Sequence, residues 1–329
     1  MKKPDPSRSS IMLSLFMGLA CTTGQAQLDN EFYARADVST NLINMNSLFP
    51  QQQEWQSNSN ASRVGFRGSY QISESLELIY QLELEVNFDD DDSISARGKD
   101  LFENRNSYLG IRGNFGQIIA GKNDTPIKTM GREVDRFNDQ VLGDIKSYME
   151  GEDRVGDLVM YTTPNWQGFS VTAGIVTEEN QKVIDGHGGF AEATVMSFNY
   201  SNDFVTAAIG INDNIDKQNL TRVMTNFYIG ATEVGFMWQR AERVDNDADE
   251  KSWLLSAEHR INEDWRIKGQ FGLTDYSVHS NQDEQFILGL DRILNSSIFL
   301  FINYVEVERD KAVASFTDSS LAIGIRINL

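Results

Sequence analysis

The 329-residue chain contains one cysteine (Cys21), five prolines and three histidines. A single thiol closes no intramolecular disulfide and builds no thiolate metal site, so neither can hold the fold together. Long apolar runs are also missing: mean hydropathy is −0.39 and hydrophobic residues make up 40% of the chain. No stretch reaches the roughly 20 apolar residues that a membrane-spanning helix needs. Basic residues are outnumbered, 29 Lys and Arg against 48 Asp and Glu, for a net charge of −19. Nucleic acid, which needs a basic face, is therefore not an expected partner. None of these absences excludes a membrane-spanning β-barrel, because its lipid-facing and lumen-facing residues alternate and cancel in any hydropathy window.

At the N-terminus, Lys2, Lys3 and Arg8 precede an apolar stretch from Ile11 to Ala20. Gly24 and Ala26 occupy positions −3 and −1 before Gln27, the small-x-small pattern of a secretory cleavage site. The expected division is a signal peptide over 1–26 and one barrel domain over 27–329. Gly18 to Cys21 could be read as a lipoprotein signal, but it lacks the usual aliphatic residue three before the cysteine. Removing 1–26 takes away three bases and one acid, leaving 26 against 47, a charge of −21 and no cysteine.

The remaining chain alternates apolar and polar residues in recurring segments. In LELIYQLELEVNF the even positions Leu76, Leu78, Tyr80, Leu82, Leu84, Val86 and Phe88 are apolar, and Glu77, Gln81, Glu83 and Glu85 stand between them. The last segment repeats the pattern, with Leu321, Ile323, Ile325, Ile327 and Leu329 on one face and Ala322, Gly324, Arg326 and Asn328 on the other. Period two is the signature of a strand. Strands are expected near 28–44, 62–70, 75–88, 104–113, 116–122, 157–163, 168–177, 191–201, 204–212, 220–229, 232–241, 251–261, 265–277, 284–291, 297–308 and 317–329, sixteen in all. Tight turns at 71–74, 114–115, 164–167, 201–203 and 262–264 would lie at one end of the strands and longer loops at the other. That segregation fits an all-β, antiparallel transmembrane barrel with short periplasmic turns and long extracellular loops. Tyr70, Phe115, Trp166, Tyr200, Phe204 and Trp265 cluster beside the short turns, as an interfacial aromatic girdle would.

Three blocks, SRVGFRGSYQISESLELIYQLE, NSYLGIRGNFGQIIAGKNDTP and LVMYTTPNWQGFSVTAGI, resemble consecutive signature blocks of the general trimeric porins of the Gram-negative outer membrane. The resemblance implies a 16-stranded barrel, a homotrimer and a third extracellular loop folded inward to narrow the pore. One departure stands out: the family typically ends in phenylalanine, whereas this chain ends in Leu329.

A passive pore needs no catalytic group; the charges lining its constriction select what passes. The longest connection, 123–156, carries Glu133, Asp135, Asp139, Asp144, Glu150, Glu152 and Asp153. Loops this long are usually functional or disordered. The resemblance places this one in the lumen, where Glu133, Asp135, Asp139 and Asp144 form the expected acidic side. Strand parity supplies the opposite wall. Val64 and Phe66 take the lipid face, so Arg63 and Arg67 point inward, and the same parity turns Arg35 inward. Leu109 and Ile111 put Arg112 on the lumen side, and Lys122 ends the next strand. Facing bases and acids would set a transverse field, although solvated or structural ion pairs would produce the same pattern. The expected function is diffusion of small hydrophilic solutes and ions, with cations preferred because the chain is acidic; a channel specific for sugars or oligosaccharides is the alternative.

Asp89 to Asp92 form a four-acid run that suits either a hard cation or a solvated loop tip. His187, His259 and His279 adjoin no serine motif and no metal-ligand spacing, so no enzyme is expected. No cofactor or resident metal is called for. The remaining expected partners are outer-membrane lipid and lipopolysaccharide.

Overall fold

Residues 28–46, 53–88, 100–177, 190–245, 248–277, 281–311 and 314–329 are described by a computed structural model. The expected signal peptide, the run Asp89–Asp92, His187 and His279 lie outside the described residues.

Eighteen β-segments form one antiparallel sheet that closes on itself between its first and last members. They begin with β1 (Leu28–Met45), β2 (Gln53–Ser59), β3 (Arg63–Ser73), β4 (Leu76–Val86), β5 (Phe102–Asn104), β6 (Ser107–Gly113) and β7 (Gly116–Asp124). After the third loop come β8 (Arg154–Thr162), β9 (Phe169–Val176), β10 (Ala193–Ser201), β11 (Val205–Ile215), β12 (Gln218–Ile229) and β13 (Thr232–Arg243). β14 (Asp249–Arg260), β15 (Trp265–Tyr276), β16 (Gln282–Ile293), β17 (Ile298–Asp310) and β18 (Ser315–Asn328) complete the wall. β2 and β3 pair with successive parts of β1, and β5 and β6 with successive parts of β4. Each pair is one crossing broken by a kink, so the eighteen segments make sixteen crossings. Alternation alone missed β2, because QEWQSNS has a single apolar residue, Trp55.

The two faces separate as period two dictates. Leu82 and Leu84 are exposed while Glu83 between them is buried, and Leu321 and Ile323 are exposed around buried Ala322. Exposed apolar side chains such as Leu109, Ile209, Phe236, Leu255, Phe286 and Ile302 continue this outer surface around the wall. In water such a surface would be a liability; in hydrocarbon it is the required one. Trp166, Phe169 and Tyr200 pack together at the turn end, with ring centroids 6.4 and 4.6 Å apart.

The loop end departs from expectation. After 177–192 its connections shorten to 216–217, 244–248, 277–281 and 311–314. Asp216 and Lys217, at φ of +51° and +61°, make a two-residue hairpin turn of the kind that matches strand twist. The long-loop rule thus fails for the second half of the barrel.

The third loop does fold into the lumen. It opens with helix α1 (Pro126–Val134), whose start is set by Thr125: its Oγ1 accepts from the Lys128 amide at 3.2 Å, and proline follows at the first helical position. Ile127, Met130, Val134, Ile145, Tyr148 and Met149 then pack against Ala208, Leu220, Met224, Met237, Ala241 and Leu254 of β11 to β14. Farther along, Phe137 and Leu142 pack against Ile287, Val305 and Val307 of β16 and β17. The wall makes room with glycine: a Cβ at Gly289 would stand 2.6 Å from the Phe137 ring. This path leaves the passage open against β1, β3 and β4.

Candidate functional site

Register builds the wall of that passage. Arg35 stands directly opposite Arg63, with Asn328 on the far side of Arg35 and Glu85 on the far side of Arg63. Arginines at direct cross-strand spacing repel each other. Asp139 of the third loop lies between them, its Oδ2 at 3.3 Å from Arg63 Nη2 and 3.8 Å from Arg35 Nη1. Asp139 has φ +70°, a conformation that aspartate tolerates better than most residues, and its amide donates to Asp144 Oδ2 at 2.9 Å. Burial alone would raise the Asp139 carboxyl, but Arg63 and Arg105 outweigh it and hold the group below the ordinary carboxylate range.

The other expected residues do not all join this contact. Arg67 is on the lumen face but is held by Glu31, at 2.8 and 2.9 Å, and stacks 5.0 Å from the Tyr33 ring centroid. Arg112 pairs with Glu77, its cross-strand neighbour, beside the β6–β7 turn and away from the third loop. Lys122 sits opposite Ser107 on the face shared by Leu109 and Ala120, which is the outer one. Among the acids, Asp135 is buried and accepts from the Phe137 and Ile145 amides at 3.0 and 3.1 Å, fixing the loop's own fold. Burial and nearby Asp144 push its carboxyl up. Asp144 caps the short helix at Ile145–Ser147 and pairs with Lys146. Glu133 is exposed on α1 and turned toward another compartment. Of four expected acids, one meets the basic wall, because the loop spends two on its own backbone.

Several site residues were not foreseen. Arg105 interrupts β5 and β6; its Nε lies 2.8 Å from Glu83 Oε1 and its Nη1 reaches Glu85. Counted from Leu109 and Ile111, odd positions face outward, which would put Arg105 in lipid. One extra residue at the kink reverses the parity and aims Arg105 inward, as β-bulges do. Asp124, at the end of β7, collects Arg132, Arg154 (2.9 Å) and Lys128 (3.9 Å). These residues bound two lumen cavities, one of about 650 Å³ toward the loop end and one of about 670 Å³ toward the turn end. The cavities meet at Arg105, Arg132 and Asn138, which line both. The side chains lining the turn-end cavity include seven bases, Arg35, Arg63, Arg67, Arg105, Arg132, Arg136 and Arg326, against four acids, Glu31, Glu83, Asp124 and Asp135, whereas the loop-end cavity is balanced at five and five. At the turn end the local sign is positive in a chain whose total is −19.

Among the described residues no three His, Cys, Asp or Glu side chains are grouped to hold a metal ion. His259 is exposed, its Nδ1 2.8 Å from the Thr232 hydroxyl.

Residues 12–312 match the family of Gram-negative porins. Outer membrane porin protein 32 of Delftia acidovorans is 23% identical over 269 residues, 75% of this chain and 74% of that one. Among solved structures, an anion-selective porin from Comamonas acidovorans aligns with a TM-score of 0.72 at 17% identity, over 92% of this chain and 100% of the other. The trimer form of OmpT, an outer membrane protein of Vibrio cholerae, aligns with a TM-score of 0.68 at 14% identity, over 92% of this chain and 99% of the other. Such relatives are channels rather than enzymes. A closed wall of sixteen crossings with an apolar exterior agrees with that match, and the protein belongs to the Gram-negative porin family, as a multi-pass β-barrel channel of the outer membrane.

Proposed function

We propose that the channel is a passive diffusion pore for small hydrophilic solutes and ions, narrowed where Asp139 faces Arg35 and Arg63, and that it prefers anions. The observation that carries the sign is the excess of basic over acidic side chains lining the turn-end cavity, seven against four. Selectivity follows the charge at the constriction rather than the chain total, because charges beyond a Debye length, about 8 Å at physiological salt, are screened. The related Comamonas channel is described as anion-selective, the same sign. Export through a cleaved signal peptide over 1–26 belongs to the same proposal.

The assembly is a homotrimer surrounded by outer-membrane lipid and lipopolysaccharide. Supporting it, the outward face of β1 presents the small residues Ala34, Ala36 and Val38, with Ile325 and Ile327 beside them on β18, a smooth surface for close packing. OmpT, of the same fold, is known in a trimer form.

Reconstitution into a planar bilayer under a potassium chloride gradient tests both parts. The expected outcome is stepwise openings in triplets with a chloride-selective reversal potential. A potassium-selective sign would overturn the anion preference, and silence from verified folded barrel would overturn the pore.

A further inference from the structure

We infer that helix α1 partitions the inner half of the lumen and that the compartment behind it binds small neutral sugars or other polyols. Lys128 and Arg132, one turn apart, face the charged passage. Ile127 and Val134 are buried in the wall packing. The remaining face, Pro126, Thr129, Met130 and Glu133, borders a separate cavity of about 550 Å³, within the usual range for small-ligand sites.

The chemistry of this compartment is unlike that of the passage. Its barrel wall presents Thr162, Thr172, Ser197, Asn199, Thr206 and Tyr228, none of them charged. They bond to one another: Thr162 to Thr172 at 3.1 Å, Thr206 to Tyr228 at 3.1 Å and Asn199 to Ser197 at 3.0 Å. Each hydroxyl offers one donor and two acceptor sites, so such pairs keep unused capacity. Two carboxylates border the cavity. Asp124 is occupied by Arg132 and Arg154, whereas Glu133 is exposed and, among the described residues, has no hydrogen-bond or ion-pair partner.

A free carboxylate accepts two adjacent hydroxyls through its two oxygens, and neutral hydroxyl and amide groups can satisfy the rest of a polyol. Met130, Met160 and Met224 supply polarisable surface for its C–H faces. Anions find no base lining the cavity and are repelled by Glu133. Asp124 lines both this compartment and the charged one on the turn side, so the two adjoin.

Saturation-transfer NMR on the full barrel, folded in a zwitterionic sugar-free detergent with methyl α-D-glucopyranoside as probe, tests the site. Transfer to the glucoside is expected with the wild type, with affinity about tenfold lower for Glu133→Gln, the loss of one charge-assisted hydrogen bond, and reduced for Tyr228→Phe. No transfer to wild-type barrel, or equal affinity for Glu133→Gln, would overturn the inference. Ethylammonium bound more tightly than the glucoside and lost with Glu133→Gln would also overturn it, reassigning the site to organic cations. Binding is read without a bilayer, so failure here and failure of the pore reading stay distinguishable.

Discussion

A single carboxylate shared by two arginines is the smallest unit on which the proposed selectivity depends. Asp139→Asn removes the one acid between Arg35 and Arg63, so the zero-current potential should move further toward chloride; an unchanged potential would place Asp139 outside the ion path. The pH dependence has a definite sign. Because the Asp139 carboxyl is held below its ordinary value, the contribution of Asp139 to selectivity, read as the difference between wild type and Asp139→Asn, should stay flat from neutral down to about pH 4. Protonation below that removes negative charge and should increase anion preference. Arg105→Gln should shift selectivity toward cations. Arg67→Gln should do less, since Arg67 lies four residues, ~13 Å, farther along β3 from Arg63. Parity made Arg35, Arg63 and Arg67 legible in the sequence. Arg105 was not, because one extra residue at the kink reverses the count.

Loop three is the element on which the rest depends, and its anchor is a fully buried arginine. Arg222 donates to Glu152 at 2.7 Å, to the carbonyls of Ile127 and Glu150 at 2.8 and 2.9 Å, and to Gln239 at 2.9 Å. Arg222→Met leaves Glu152 buried without its partner, a cost of about 3–5 kcal/mol. The expected result is an intact barrel whose third loop is cleaved faster by protease and whose open-state current is noisier; unchanged cleavage would show that apolar packing alone holds the loop. Gly289→Val tests that packing, since its Cβ meets the Phe137 ring, and a changed single-channel conductance is expected. The length of this loop and its acids could be read directly. Its course could not, because Ile127, Phe137 and Tyr148 find partners 60 to 170 positions away, on the wall.

Across the whole molecule, net charge and local charge differ in sign. Some of the excess acid lies on the outer face near the loop end, where Glu284 stands directly across from Glu308, with Glu306 and Asp310 exposed on the same strand. Removing these by Glu306→Gln and Glu308→Gln should make the protein less acidic in isoelectric focusing yet leave ion selectivity unaltered; a shift in reversal potential would contradict control by the narrow section. If the homotrimer is correct, mild-detergent native electrophoresis should show a species of three barrels that heating converts to monomer. A monomer throughout would confine the packing role of Ala34, Ala36 and Val38 to lipid contact.

Sixteen crossings, their inward and outward faces and the inward arginines of β1 and β3 were determined by the sequence itself, because period-two alternation is a local property of the chain. Tertiary structure alone decided which acids meet those arginines. It turned Glu133 to a separate compartment, committed Asp135 and Asp144 to the loop's backbone and left Asp139 at the wall. The physical reason is that a loop has no repeat to read. Its side chains are aimed by distant packing and by the need to satisfy buried amides, neither of which is a property of neighbouring residues in sequence.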